Sequence, residues 1–329
     1  MSSDGVAITD RQPRPLWFEL VRLARPQQWL KSGFVVLGPF YSLQDSKVEG
    51  AAFWDVVWLA FWAAAAFSLA SSGCYVFNDL ADVERDRVHP RKRHRPLARG
   101  TVATGTARAF GLGLFLAGGL CLLALPWPAA GWVGLLLALH VGNVLLYSAG
   151  LKRVVIVDVM SLSLGFVLRV MAGCAAVGTG PSTWLLNVTF FLSMFLAFGK
   201  RLGERRTMGT AEEAALARSV QLDYSDELLR MVVVVTGVAT LVTYAGYVQV
   251  RAEDYHLGFN LLWLTVLPAT YVLIRCITLL ERGVYDDPTE LVLHDAPCRV
   301  AGGLFVAMTL TLVGLVAWTR LFEDGLAVG

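Results

Sequence analysis

The sequence predicts an all-α, polytopic membrane protein, a nine-helix transmembrane bundle with a polar active-site cavity facing the cytoplasm. Three observations carry that prediction. The 329-residue chain is 56% hydrophobic and only 16% charged, with a mean hydropathy of +0.57, a composition foreign to soluble globular domains. Its apolar residues gather in nine runs, most of them long enough to cross roughly 30 Å of hydrocarbon. Its basic residues sort strongly to one side of those runs.

Residues 1 to 20 read as a polar, disordered, uncleaved cytoplasmic tail, because Asp4, Asp10, Arg11 and Arg14 leave no apolar centre for a signal peptide. Residues 21 to 329 read as one transmembrane domain, with no gap wide enough for a soluble domain. Helices are expected at about 28–43, 54–79, 104–125, 129–148, 155–177, 183–200, 230–250, 258–280 and 300–320. Gly33, Gly38 and Pro39 interrupt the first of these, which is also the shortest. Of the 28 Lys and Arg residues, 24 precede the first helix or fall around the connections after helices 2, 4, 6 and 8. Only Lys47, Arg251 and Arg320 fall on the other side, and Arg169 lies within a helix. The positive-inside rule therefore places the amino terminus and those connections in the cytoplasm and the carboxyl terminus outside, in the plasma (inner) membrane.

Polarity changes most abruptly at Asn78 to Gly100, NDLADVERDRVHPRKRHRPLARG. At about 100° per residue, Asn78, Asp79, Asp82 and Asp86 fall within an arc of roughly 100° on a continuing helix. Three carboxylates and an amide then share one face, and like charges so close demand a compensating cation. Magnesium suits them, because it takes oxygen ligands and bridges one or two carboxylates to a substrate phosphate. The competing reading is a solvated helix end whose acids pair with Arg85, Arg87 and Arg91. The basic run that follows, Arg91, Lys92, Arg93, Arg95 and Arg99 with His89 and His94, fits anionic lipid headgroups or a topology signal. Beside a carboxylate cluster it also fits phosphate oxygens.

Further polar residues converge on the same side: Arg25, Gln28 and Lys31 at the entry to the first helix, Tyr147, Lys152 and Arg153 after the fourth, and Lys200, Arg201 and Glu204 closing the sixth. Asp158 and Arg169 are eleven residues apart within helix 5, on one stripe, and ionisable residues at that depth mark a functional cavity or an interhelical ion pair. The five cysteines, Cys74, Cys121, Cys174, Cys276 and Cys298, lack metal or redox spacing and read as free core thiols. His140 and His256 stand alone and read as structural. Asp286, Asp287, Glu290 and Asp295 read chiefly as helix-capping acidity, and GTGPS at 178–182 as a turn. Gly111, Gly113 and Gly118 give helix 3 a small-residue face that permits a homo-oligomer. Serine-hydrolase, P-loop and zincin templates are absent, and no nucleic-acid partner is expected.

These residues resemble those of a known family. Nine helices with NDxxDxxxD ending the second are similar to the UbiA-type intramembrane polyprenyltransferase superfamily. More narrowly, RPQQWLKSG at 25–33, the 78–100 segment, YSAGLKRVVIVD at 147–158, GFVLRVMAG at 165–173 and GKRLGE at 199–204 resemble the decaprenyl-phosphate phosphoribosyltransferase branch. The resemblance implies Mg2+-dependent transfer of phosphoribose from 5-phosphoribosyl diphosphate to a polyprenyl, decaprenyl-like phosphate in cell-envelope biosynthesis. It implies that Asn78, Asp79, Asp82 and Asp86 hold the metal and act in catalysis. Lys31, Lys92, Arg93 and Arg95 would serve the donor's phosphates, and Gln28 and Tyr147 would also bind substrate. Lys152, Arg169, Lys200 and Arg201 would serve the lipid phosphate, with Asp158 orienting Lys152 or Arg169. Aromatic prenyltransferases of the superfamily carry a second aspartate motif after helix 6, where this chain has Lys200, Arg201, Glu204, Arg205 and Arg206. That basic edge favours the phosphoribosyl reading over transfer of a prenyl group from its diphosphate to a small acceptor. A transporter or lipid-binding scaffold built on Asp158 and Arg169 is the alternative of a different class.

Overall fold

A computed structural model describes residues 15–42, 53–88, 92–208, 219–285, 291 and 294–327. Residues 1–14, Lys47, His89, Pro90, Arg91 and the acids Asp286, Asp287 and Glu290 lie outside the described residues. Among the described residues the secondary structure is helical, and eight helices are long and apolar enough to span a membrane. The chain is an integral membrane protein.

The chain opens with α1 (Leu16–Ala24), whose Leu20, Leu23 and Ala24 pack on the helix that carries the acids. Helix therefore begins inside the stretch expected as a tail. The apolar run expected as helix 28–43 is not one α-helix. Pro26 opens a 3-10 segment, Pro26–Ser32, and α2 (Gly33–Ser42) contains Pro39. At roughly 2.0 and 1.5 Å of rise per residue the two segments together cover about 29 Å. Arg25 lies against Asp79 at one end of that path, and Tyr41 meets the Tyr247 ring edge-on at the other.

The spanning helices follow in order: α3 (Phe53–Ala81), continued by the short α4 (Val83–Val88); α5 (Thr104–Leu120); α6 (Ala129–Ala149); α7 (Val157–Ala176); α8 (Thr183–Met208); α9 (Asp226–Val250); α10 (Val266–Glu281); and α11 (Ala296–Ala327). Two starts are capped as the sequence chemistry requires. Ser225 accepts the Leu228 amide ahead of α9, with Asp226 and Glu227 in its first turn. Asp295 accepts the Cys298 amide ahead of α11, and the Arg275 guanidinium beside it holds its carboxyl below the usual carboxylate range. Asp295 is thus a helix cap.

The middle of the bundle is α7, with 61% of its membrane window buried against 17–39% for the other seven spans. Its Ser161, Ser163, Gly165, Ala172 and Gly173 admit close neighbours. One apolar cluster joins α2, α3, α6 and α7, and a second joins α8, α9, α10 and the start of α11 to Val159 of α7. All five cysteines are free and buried. Gly111 and Gly118 face Phe77 and Ala66 of α3, so they serve packing within the chain. At Gly173 a Cβ would overlap the Val35 carbonyl, whereas at Gly113 it would meet nothing within 4 Å. Gly173→Val should therefore cost about 1–3 kcal/mol or more by overpacking, seen as a lower melting temperature in detergent, and Gly113→Ala should leave the melt unchanged.

Candidate active site

The end of α3 builds the site. Although Asp82 separates α3 from α4, its amide bonds to the Asn78 carbonyl at 3.0 Å, and the Asp86 amide bonds to the Asp82 carbonyl at 2.9 Å. The helical register therefore runs unbroken through the acids. Asp79 and Asp86 turn inward, each 3% exposed, while Asp82 stays at the rim, 3.5 Å from Arg85.

Two guanidiniums from opposite sides in sequence close on the buried pair. Arg25 donates to Asp79 Oδ1 at 2.6 Å, and one nitrogen of Arg95, Nη1, donates to Asp79 Oδ1 at 2.9 Å and to Asp86 Oδ2 at 2.7 Å. Arg25 also lies over the Tyr75 ring, 5.1 Å from its centre. It reaches Asp79 because its backbone takes the left-handed conformation (φ 53°), turning the chain between α1 and the 3-10 segment.

Beside this cluster is a cavity of about 330 Å³. Arg22, Arg25 and Gln27 line it from the α1 side, and Lys92, His94, Arg95 and Pro96 from the connection after α4, with Asp79 between them. Of the expected donor residues, Lys92 and Arg95 line this cavity and Lys31 and Arg93 do not; nor does Gln28. Arg22, Gln27 and His94 do, and Arg22 is held through both oxygens of the buried Glu19, at 3.1 and 3.4 Å.

Among the described residues no three His, Cys, Asp or Glu side chains are grouped closely enough to hold a metal ion unaided. The expected set of Asn78, Asp79, Asp82 and Asp86 is not drawn together as a unit, because Arg95 stands between two of its members and Asp82 faces Arg85. The donor chemistry nonetheless fits a hard cation. Oxygens of Asp79 and Asp86 converge on a single positive nitrogen, which is the arrangement a bridging divalent ion requires.

A second buried constellation lies at the start of α7. Asp158, expected to orient Lys152 or Arg169, instead receives Arg201 of α8, with Nε at 2.9 Å and Nη2 also in contact. The Tyr224 hydroxyl donates to the other oxygen of Asp158 at 2.8 Å and accepts the Ile156 amide at 2.7 Å. Burial pushes the Tyr224 phenol up, so it stays protonated and able to donate. The rest of the basic edge is also committed. Arg205 caps the carbonyls of Gln221 and Tyr224 at 2.7 and 2.6 Å, and Arg206 reaches Asp226 and Glu281 at 3.4 and 3.5 Å. Arg201, expected at the lipid phosphate, is 1% exposed and paired with Asp158. Tyr147 and Lys152 lie at the end of α6 and in the 3-10 turn after it, and Lys200 precedes Arg201 on α8.

Arg169 is the exception among the buried cations. It donates to the Gly165 carbonyl at 2.9 Å and to Ser71 Oγ at 3.1 Å, and no carboxylate of the described residues pairs with it. Ser71 in turn contacts His140 Nε2 at 3.3 Å. Ser71, Tyr75 and Asp79 follow one another at single-turn spacing on α3, so Arg169 approaches the same helix face two turns below the acids.

Residues 47–290 match the profile of the UbiA prenyltransferase family. The chain is 32% identical over 316 residues to the decaprenyl-phosphate phosphoribosyltransferase of Mycolicibacterium smegmatis, covering 94% of this chain and 96% of that protein. It is 31% identical to the enzyme of the same name from Corynebacterium glutamicum, covering 88% and 84%. A solved UbiA homologue from Archaeoglobus fulgidus, bound to GPP and Mg2+, superposes with a TM-score of 0.60 at 16% identity, covering 90% of this chain and 99% of that one.

The Asp158–Arg201 pair yields a direct expectation. Asp158→Asn leaves a buried guanidinium without its charge partner, and should destabilise the protein by about 3–5 kcal/mol. Thermal melts of the purified protein read this. Tyr224→Phe, which removes both the bond to the Asp158 carboxylate and the acceptor of the Ile156 amide, should cost about 1.5–3 kcal/mol or more.

Proposed function

The chain belongs to the UbiA prenyltransferase family, and from that premise we propose that it transfers the 5-phosphoribosyl group of 5-phosphoribosyl diphosphate to a polyprenyl phosphate, releasing diphosphate. The observation that carries this reading is the cavity beside Asp79, lined by cations from two segments and with Pro96 as its one apolar residue. A prenyl diphosphate needs an apolar wall for its chain, whereas a phosphorylated sugar needs charge-assisted donors. The identity to two proteins named for the same reaction supports the choice.

In this reading Asp79 and Asp86, with Asp82 and Asn78 at the rim, would hold Mg2+. The ion, when bound, would offset charge gathering on the departing diphosphate. Arg25, Arg95 and Lys92 supply donors to the diphosphate oxygens and fix the ribose beside the acids. The bond from ribose C1 to diphosphate breaks, and an oxygen of the lipid phosphate forms the new bond to C1. That acceptor is already anionic at neutral pH, so no side chain has to remove a proton. Electrostatic placement therefore supplies most of the catalysis. Arg169, buried and without an acid partner, receives the lipid phosphate from the membrane side. We place the site at the cytoplasmic face, with the amino terminus inside and the carboxyl terminus outside, from the distribution of Lys and Arg.

The test is transfer of label. Purified protein, Mg2+, labelled 5-phosphoribosyl diphosphate and a polyprenyl phosphate should move label into the lipid phase, and Asp79→Asn should lower kcat at least about a hundredfold. Transfer from a prenyl diphosphate to an aromatic acid, with no ribosylated lipid, would assign the other reaction of the family. Arg169→Gln should raise KM for the lipid phosphate about tenfold, by loss of a charged hydrogen bond, with KM for the ribosyl donor little changed.

A further inference from the structure

The polar residues lining the cavity beside Asp79 fall into two sets: Arg25 and Arg95 with Lys92, which the proposed reaction gives to the diphosphate, and Arg22, Gln27 and His94. Arg25 and Arg95 are already bonded to Asp79, and Arg95 to Asp86 as well. Arg22, Gln27 and His94 line the same space, yet none of them is bonded to either acid. Arg22 is not loose. One of its terminal nitrogens is fixed on Glu19, which is itself buried, and the rest of its fork remains available to a ligand. Its helix is anchored through Leu20, Leu23 and Ala24 in the apolar cluster beneath. Gln27 follows in the 3-10 segment, and His94 stands opposite on the connection after α4. A diphosphate gathered by Arg25, Arg95 and Lys92, and by a cation that Asp79 and Asp86 would hold, leaves this second set unused, in a space of about 330 Å³ that is larger than a diphosphate needs.

Building on the proposed ribosyl-donor reading, we infer that Arg22, Gln27 and His94 form a second phosphate subsite that takes the 5-phosphate of the donor. The cavity thereby selects donors that are anionic at both ends. A prenyl diphosphate carries charge at one end only, and its hydrocarbon would have to lie against Arg22 and His94. The discrimination arises because polar groups that face a hydrocarbon lose water without gaining a partner. Both walls of the subsite come from segments flanking the acids in sequence, α1 with its 3-10 extension on one side and the connection after α4 on the other.

The experiment measures equilibrium binding of two stable carbocyclic donor analogues, with and without the 5-phosphate, to the full-length protein in lipid nanodiscs with Mg2+. His94→Ala and Gln27→Ala should each weaken the 5-phosphorylated analogue about tenfold, the worth of one hydrogen bond to a charged group. Affinity for the dephosphorylated analogue should stay within about twofold. Because Arg22→Gln leaves Glu19 buried without its cation, that change is made together with Glu19→Gln, and thermal melts confirm folding. Equal weakening of both analogues, or no weakening of either, overturns the subsite while the reaction reading stands. Binding of neither analogue by the unaltered protein, alongside binding of a prenyl diphosphate, overturns the reaction reading itself.

Discussion

Two carboxylates taken out of water at the end of a membrane helix are the constraint on which this structure depends. Asp79 and Asp86 are almost fully buried, and in low dielectric neither tolerates isolation. Arg25, between α1 and the 3-10 segment, and Arg95, beyond α4, both bend back to neutralise them. That requirement explains the left-handed backbone at Arg25, the docking of α1 on α3, and the return of the 92–96 segment toward the acids. The cavity is what remains between these two returning segments, so its basic walls are a consequence of how its acidic side is neutralised.

A second lock, Asp158 with Arg201 and Tyr224, stabilises the rest of the same end. It ties the start of α7 to α8 and to the connection before α9, and Arg205 and Arg206 extend the tie to Gln221, Asp226 and Glu281. The two locks differ in kind. In the second, the partners satisfy one another and are closed to solvent, which gives rigidity without reactivity. In the first, Arg95 is shared between two acids beside an open cavity, so a stronger cation or an anionic ligand can redistribute its bonds. Arg169, bonded to the neutral acceptors Gly165 and Ser71, has no carboxylate partner among the described residues and lies below the first lock.

Much of this was legible from residue pattern. Long apolar runs located the spanning helices, and the 78, 79, 82, 86 spacing placed the acids on one face because the register holds through Asp82. What failed depended on tertiary pairing. Arg201 looked like a phosphate ligand because its charge was visible and its partner, 43 residues away, was not. The 28–43 run is expected as one helix, whereas a 3-10 segment opened by Pro26 gives way to α-helix at Gly33. Arg22 stands on α1, a helix that straddles the boundary drawn at residue 20 and was not expected, and Gln27 adjoins Gln28, the glutamine that the motif singles out. The apolar spacing of Leu16, Leu20, Leu23 and Ala24 was the signal that could have found that helix. Residues such as Ser71 and Tyr224 leave no such trace, since a lone hydroxyl gains meaning only from what folds against it.

The central claim is that the Asp79–Asp86 cluster binds a cation and a diphosphate as one unit, with Arg25 and Arg95 passing from the acids to the phosphates. Calorimetric titration of the protein in nanodiscs with Mg2+ alone, 5-phosphoribosyl diphosphate alone, and the two together tests it most directly. The account predicts weak binding of each alone and binding at least about tenfold tighter together, a coupling of roughly 1.4 kcal/mol or more. Donor binding that is indifferent to chelation of divalent ions would contradict it.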